Sequence, residues 1–185
     1  MRLRIPPELK RIETEWYVIT GAPCSGKTTI INHLKSTNYE IREEVGRGVL
    51  NSIQPEGPVS SKHKHMMQEI IISAREDIEE QAPCHQPIFF DRSLVDCITY
   101  NRLIGENPND LVRRCSRYGY KKVFILDRLP YVSDSCRIES RMEVEKLDRW
   151  LEKDYRALGY AVKRISVDTI ENRKAAILEE IRASD

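Results

Sequence analysis

Short, almost unbroken apolar runs alternate along the chain with stretches in which apolar residues recur every three to four positions. Trp16-Tyr17-Val18-Ile19-Thr20, Ile88-Phe89-Phe90 and Val123-Phe124-Ile125-Leu126 predict strands covered on both faces. Tyr39-Glu40-Ile41-Arg42-Glu43 and Tyr160 to Val167 alternate and predict two more. Helical spacing predicts Thr28 to Lys35, with Ile30, Ile31 and Leu34 inward. It also predicts a long helix from about Ser60 to Gln81, whose Met67, Ile70, Ile71, Ala74 and Ile78 are expected on a sheet face. Further helices are predicted over Leu94 to Leu103, over a short stretch ending near Tyr118, and from about Glu171 to Ala183. One more carries Leu147, Trp150, Leu151, Tyr155 and Leu158 and stops at Gly159. Turn-rich breaks at Asn51 to Pro58, Pro83 to Pro87 and Gly105 to Pro108 separate these elements.

Strands and helices in alternation imply an α/β fold: a five-stranded parallel sheet with right-handed crossovers and helices on both faces. Ligands of such sheets sit beyond the carboxyl ends of the strands. That rule gathers the turn after Thr20, Glu43 and Glu44, Asp91 and Asp127 along one rim.

The turn after Thr20 reads Gly21-Ala22-Pro23-Cys24-Ser25-Gly26-Lys27-Thr28, followed by Thr29, and fits G-x-x-x-x-G-K-[ST] between a strand and a helix. The pattern makes the fold a three-layer P-loop NTPase fold. Glycines let the loop approach a phosphate chain, and successive amides with the helix N-terminus direct positive charge at it. Lys27 is expected to reach the β- and γ-phosphates and Thr28 to ligate Mg2+. Cys24 reads as a small loop residue.

Phosphoryl transfer further requires a carboxylate near the metal. Two strands end alike, in Phe89-Phe90-Asp91-Arg92 and Ile125-Leu126-Asp127-Arg128, so either acid is open. Asp91 is preferred, because Ser93 starts a helix directly after it and its strand is the expected neighbour of the loop strand. Arg137 and Arg141, four apart on a predicted helix, suit a lid over about 128–146 that grips phosphate oxygens. The competing reading is a salt-bridged surface helix with Glu139, Glu143 and Glu145.

In 185 residues, charged side chains make up 32% but balance to a formal +1, so no broad basic field exists for nucleic acid. No apolar run is long enough for a membrane span and no signal-peptide core opens the chain, which predicts a cytoplasmic protein. Five scattered cysteines, Cys24, Cys84, Cys97, Cys115 and Cys136, suggest neither a disulfide framework nor a zinc knuckle. His63-Lys64-His65 and Cys84-His85 lack metal-ligand spacing. Residues 1–15 are expected to be a leader and 16–185 the NTPase domain.

With these motifs in order, the chain resembles a small AAA-type P-loop family similar to the ribosylnicotinamide-kinase domain of NadR and, more distantly, to deoxynucleoside and thymidylate kinases. The resemblance runs from about Trp16 to Ile181. It is carried by Ile19 to Thr28, Phe89-Phe90-Asp91-Arg92-Ser93-Leu94-Val95-Asp96 with Tyr100, Arg137-Ile138-Glu139-Ser140-Arg141, and Leu158-Gly159-Tyr160. It implies that Asp91 is the acid beside the acceptor hydroxyl, that Arg92 lies near the phosphates, and that Glu44 and Arg47 face the acceptor. The base-binding loop falls near Asp168 to Arg173. No Asn-Lys-x-Asp guanine motif is present, which favours ATP over GTP. The regions that give NadR its nucleotidyltransferase and DNA-binding activities have no counterpart in the sequence.

These features lead to an ATP- and Mg2+-dependent kinase acting on a small nucleoside-like acceptor, as a monomer or homodimer. An ATPase, or a nucleotide-dependent switch with a protein or lipid partner, is the alternative. A mechanical AAA ring fits less well, because no small helical domain follows the core.

Overall fold

A computed structural model of the chain describes residues 2–46, 48, 61–129 and 141–183. Its strands are β1 (Ile12–Glu13), β2 (Trp16–Thr20), β3 (Glu40–Arg42), β4 (Ile88–Asp91), β5 (Tyr118–Gly119), β6 (Lys122–Leu126) and β7 (Val162–Ile165). The helices are α1 (Lys27–Leu34), α2 (Ser61–Gln81), α3 (Leu94–Leu103), α4 (Arg141–Ala157) and α5 (Ile170–Arg182). The order β3-β4-β2-β6-β7 makes a five-stranded sheet in which every pairing is parallel. β2 is central, with Ile19 opposite Asp91 on one side and Thr20 opposite Ile125 on the other.

Side chains of a strand point alternately to its two faces, and here the alternation divides the core into two layers. Trp16, Val18, Ile88, Phe90, Val123 and Ile125 face Ile72 of α2, Leu94 and Ile98 of α3, and Leu151 and Tyr155 of α4. Tyr17, Ile19, Phe89, Phe124 and Leu126 face Ile30, Ile31 and Leu34 of α1 and Ile177 and Ile181 of α5. The three central strands therefore read as continuous apolar runs because both of their faces are covered. Truncating one of these buried aliphatic side chains to alanine costs about 2–5 kcal/mol.

The five predicted strands of the main sheet are present. Residues before Trp16 also join the fold: β1 pairs with β5, and Leu3, Ile5 and Leu9 lie against the first core layer. Three expectations need correction. Ile70 is exposed, because the buried stripe of α2 runs through Gln68, Ile72, Arg75 and Glu79 and turns Ile70 outward. The helix expected to end near Tyr118 is instead two short 3-10 turns, Pro108–Leu111 and Arg114–Ser116, the first started by Asn107 with Pro108 in its first turn. The last strand spans only Val162–Ile165, since it is an edge strand paired with β6 alone.

Candidate functional site

β2 ends at Thr20, and after the loop 21–26 α1 begins at Lys27 with no side chain capping its N-terminus. Its first amides are thus left for a ligand. Two glycines shape the intervening loop. A Cβ on Gly21 would sit 2.9 Å from the Leu126 carbonyl oxygen, so only glycine lets the loop leave the sheet this closely. Gly26, with φ 75°, makes the left-handed step into α1. Cys24 also takes a left-handed φ of 67°, a conformation a side chain rarely adopts and one that clusters at functional loops. Ala22 is buried against Val144 and Leu147 at the start of α4, and Thr28 and Thr29 are exposed.

Lys27 points back under the loop and is buried. Its ammonium donates to Asp91 Oδ1 and, at 2.9 Å, to Glu44 Oε2. The other Glu44 oxygen accepts from Arg92 Nε at 2.8 Å. Four predicted site residues, Asp91, Lys27, Glu44 and Arg92, therefore form one continuous ionic chain. Its electrostatics separate the two acids. Burial pushes Glu44 up, but Arg92 and Lys27 outweigh it and hold the carboxyl at about 2. Asp91 moves the other way: burial, helped by the Glu44 charge, raises it against the pull of Lys27 and Arg92. A permanently ionised carboxylate beside one that takes a proton more readily is an arrangement suited to moving a proton.

Arg92 follows Asp91 with φ 65°, a strained position for arginine, of order 1–3 kcal/mol. Its amide is tied to the Ile19 carbonyl at 3.0 Å and its guanidinium lies 5.5 Å from the centre of the Tyr100 ring. What holds the strained turn lies behind it. Asp96, fully buried, accepts from Arg92 Nη1, Thr20 Oγ1, Tyr155 Oη and the Ser93 amide. Ser93 and Asp96 together form a capping box on α3. Arg75 donates to the Ser93 carbonyl at 2.6 Å, and Glu79 accepts from the Leu94 amide at 3.0 Å and from Tyr120 Oη at 2.8 Å. Burial works to raise Asp96, yet Arg92 and Arg75 keep it below its usual value. Sequence reasoning assigns no site role to Arg75 or Glu79, and reads Tyr155 only as a helix core position and Asp96 only as part of the Phe89 to Asp96 motif. One signal was legible, Ser93-Leu94-Val95-Asp96, which has capping-box spacing.

Position beside the loop strand does not by itself distinguish Asp91 from Asp127, because β4 and β6 both flank β2. Their partners do. Asp127 is held by Arg164 at 2.5 Å, and Arg164 also bonds Asp148 and Glu152. Arg141 opens α4 with a largely exposed side chain 3.5 Å from Glu145, which is the surface ion pair weighed against a phosphate role. Arg47 and Arg137 lie outside the described residues. Glu43 turns from the site to Lys35, and His65 Nδ1 meets Glu106 at 2.5 Å. No described helix is long and apolar enough to cross a membrane.

Comparison with known proteins sets this geometry among relatives. No curated protein sequence matches the chain. Among solved structures, NadR in complex with NR superposes with a TM-score of 0.72 at 16% identity, over 90% of this chain and 51% of that one. Thymidylate kinase from Ehrlichia chaffeensis gives 0.67 at 14% identity, over 91% and 98%. Deoxyadenosine kinase from M. mycoides with bound dCTP gives 0.66 at 16% identity, over 91% and 99%. At these identities the likeness establishes a nucleoside- and nucleotide-kinase-like P-loop fold. The family described as AAA domain matches residues 16–173, and the chain belongs to it.

Proposed function

We propose that the protein is an ATP- and magnesium-dependent kinase that transfers the γ-phosphoryl group to a hydroxyl of a small, nucleoside-like acceptor. The observation that carries this reading is the meeting of Lys27 with Asp91 and Glu44 under the loop. It brings the residue expected on the β- and γ-phosphates into contact with the two acids expected beside the acceptor. The loop amides of residues 22 and 24–27 and the Lys27 ammonium hold the phosphate tail. Glu44, kept ionised, accepts a hydrogen bond from the acceptor, and Asp91 takes its hydroxyl proton. The acceptor oxygen bonds to the γ-phosphorus as the bond to the ADP oxygen breaks, and Arg92 supports the charge on the phosphoryl oxygens. Arg137 and Arg141 would add to that support from the lid.

The residues present suit magnesium. Thr28 offers an exposed hydroxyl at the helix N-terminus, and Asp91 offers a carboxylate nearby. Among the described residues no three His, Cys, Asp or Glu side chains gather as a ligand set. Magnesium is typically held by one or two carboxylates, phosphates and water, so such a cage is not needed. When bound, the ion supplies neutralisation of phosphate charge.

Purified protein should be screened for ADP formation from Mg-ATP across nucleosides, nucleotides and vitamin precursors, with water alone as baseline. At least one acceptor is expected to raise the rate well above that baseline. Hydrolysis at one rate with every compound and with water would overturn the kinase reading in favour of an ATPase or switch.

A further inference from the structure

Two carbonyls of the phosphate loop are turned outward and taken by neighbours. The Cys24 carbonyl accepts from the Leu129 amide at 2.8 Å, and the Ser25 carbonyl accepts from Arg173 Nη1 at 2.8 Å. In a trans peptide the carbonyl and the following N–H point in opposite directions. Fixing these two carbonyls outward therefore turns the amides of Ser25 and Gly26 inward, toward the side where an anion would lie.

Arg173, on the first turn of α5, does more than accept this geometry. Its Nη2 donates to the Asp127 carbonyl at 3.2 Å and lies 3.5 Å from that of Ile165, so one side chain fastens the loop to the ends of β6 and β7. It is only 3% exposed, and its Nε has no partner among the described residues. None of these hydrogen bonds goes to a carboxylate. Burying that cation is costly, because the carboxylate whose charge acts on it, Asp127, is already paired with Arg164, and an aliphatic chain could fill the same space without that cost. The guanidinium also lies against the far side of the loop: a Cβ on Gly26 would stand 3.2 Å from Nη1. A phosphate chain cradled on the opposite side of that backbone would add negative charge to the share of Asp127 that Arg164 leaves.

We infer that Arg173 is a positioning residue for the nucleotide: it holds the Ser25 carbonyl outward, keeps the loop amides aimed at the phosphates, and adds its charge from beneath them. The inference rests on the nucleotide-binding reading above. It is tested by calorimetric titration of wild type, Arg173→Met and Arg173→Lys with Mg-ATP, alongside thermal unfolding and amide exchange at Ser25 and Gly26. The folded Met variant is expected to bind roughly tenfold or more weakly, the scale of a hydrogen bond to a charged group, with faster exchange at both amides. The Lys variant, which keeps the charge and one donor, should fall between. A Met variant that melts earlier but binds Mg-ATP as wild type does shows a merely structural role and overturns the assignment. If the Met variant does not fold, the Lys variant decides, and wild-type affinity and exchange in it overturn the assignment. Failure of the wild type to bind Mg-ATP overturns the nucleotide reading, and this inference with it.

Discussion

The Lys27 ammonium meets the Glu44 carboxylate at 2.9 Å, linking the start of α1 to the segment that follows β3. Glu44 also pairs with Arg92 through its other oxygen, so one carboxylate bridges two cations. Glu44→Gln should leave Lys27 freer to meet phosphate, so Mg-ATP affinity is expected to hold or tighten while turnover falls by about 10²-fold or more. Titration calorimetry and a steady-state assay on the same preparation check both halves.

The same pair sets an acid limit. The folded-state value of about 2 lies below the ordinary 4.5, so Glu44 stabilises the fold fully above about pH 4.5 and loses that contribution as pH falls toward 2. Urea unfolding of wild type and Glu44→Gln from pH 7 to 3 should show a wild-type advantage that shrinks only below about pH 4.5.

Asp91 and Lys27 should separate binding from chemistry. Lys27→Ala is expected to weaken nucleotide binding. Asp91→Asn should mostly spare binding and lower turnover by roughly 10²–10⁴-fold, the range for loss of a positioned acid or base. Turnover at the wild-type rate in the Asn variant would move the role to another acid.

Glu79 carries the opposite linkage. Burial raises it to about 7, against hydrogen bonds from the Leu94 amide and Tyr120 that favour its charge. Its contribution is present below about pH 4.5 and is lost as pH rises through about 7. Glu79→Gln keeps an acceptor for the Leu94 amide and Tyr120, so it should gain stability relative to wild type across pH 4.5–7 and hold that gain above. Denaturant unfolding at several pH values reads the difference.

Gly21→Ala puts a methyl 2.9 Å from a backbone oxygen that cannot easily move. A loss of about 1–3 kcal/mol is expected, with weaker Mg-ATP binding because the displaced atoms belong to the loop. For a domain of this size that is a fall of roughly 2–12 °C in Tm, measurable by differential scanning calorimetry.

Much of this architecture is legible in the sequence. Leu94 to Leu103 is helical as its spacing predicts, and the three apolar runs are the three inner strands. The partners of the acids were not legible. Asp91 and Asp127 end matching strands on the two sides of β2, and Phe90-Asp91-Arg92 and Leu126-Asp127-Arg128 share one pattern, with only the helix-starting Ser93 to favour the first. The stripe of α2 was misjudged for a related reason: Arg75 and Glu79 look like surface residues until Ser93, Leu94 and Tyr120 are brought against them.

The sequence by itself determined the parallel α/β sheet, the phosphate loop and the rim on which the acids gather. Periodicity and turn chemistry act over a few residues, and a parallel sheet sends all its strand ends to one side. Only the tertiary structure decided that Lys27 contacts Asp91 across 64 residues, that Asp96 meets Thr20 and Tyr155, and that Arg173 lies beneath a loop 148 residues away. Those choices depend on how helices seat on the sheet, and on which buried charges then find each other in a medium too apolar to leave them apart.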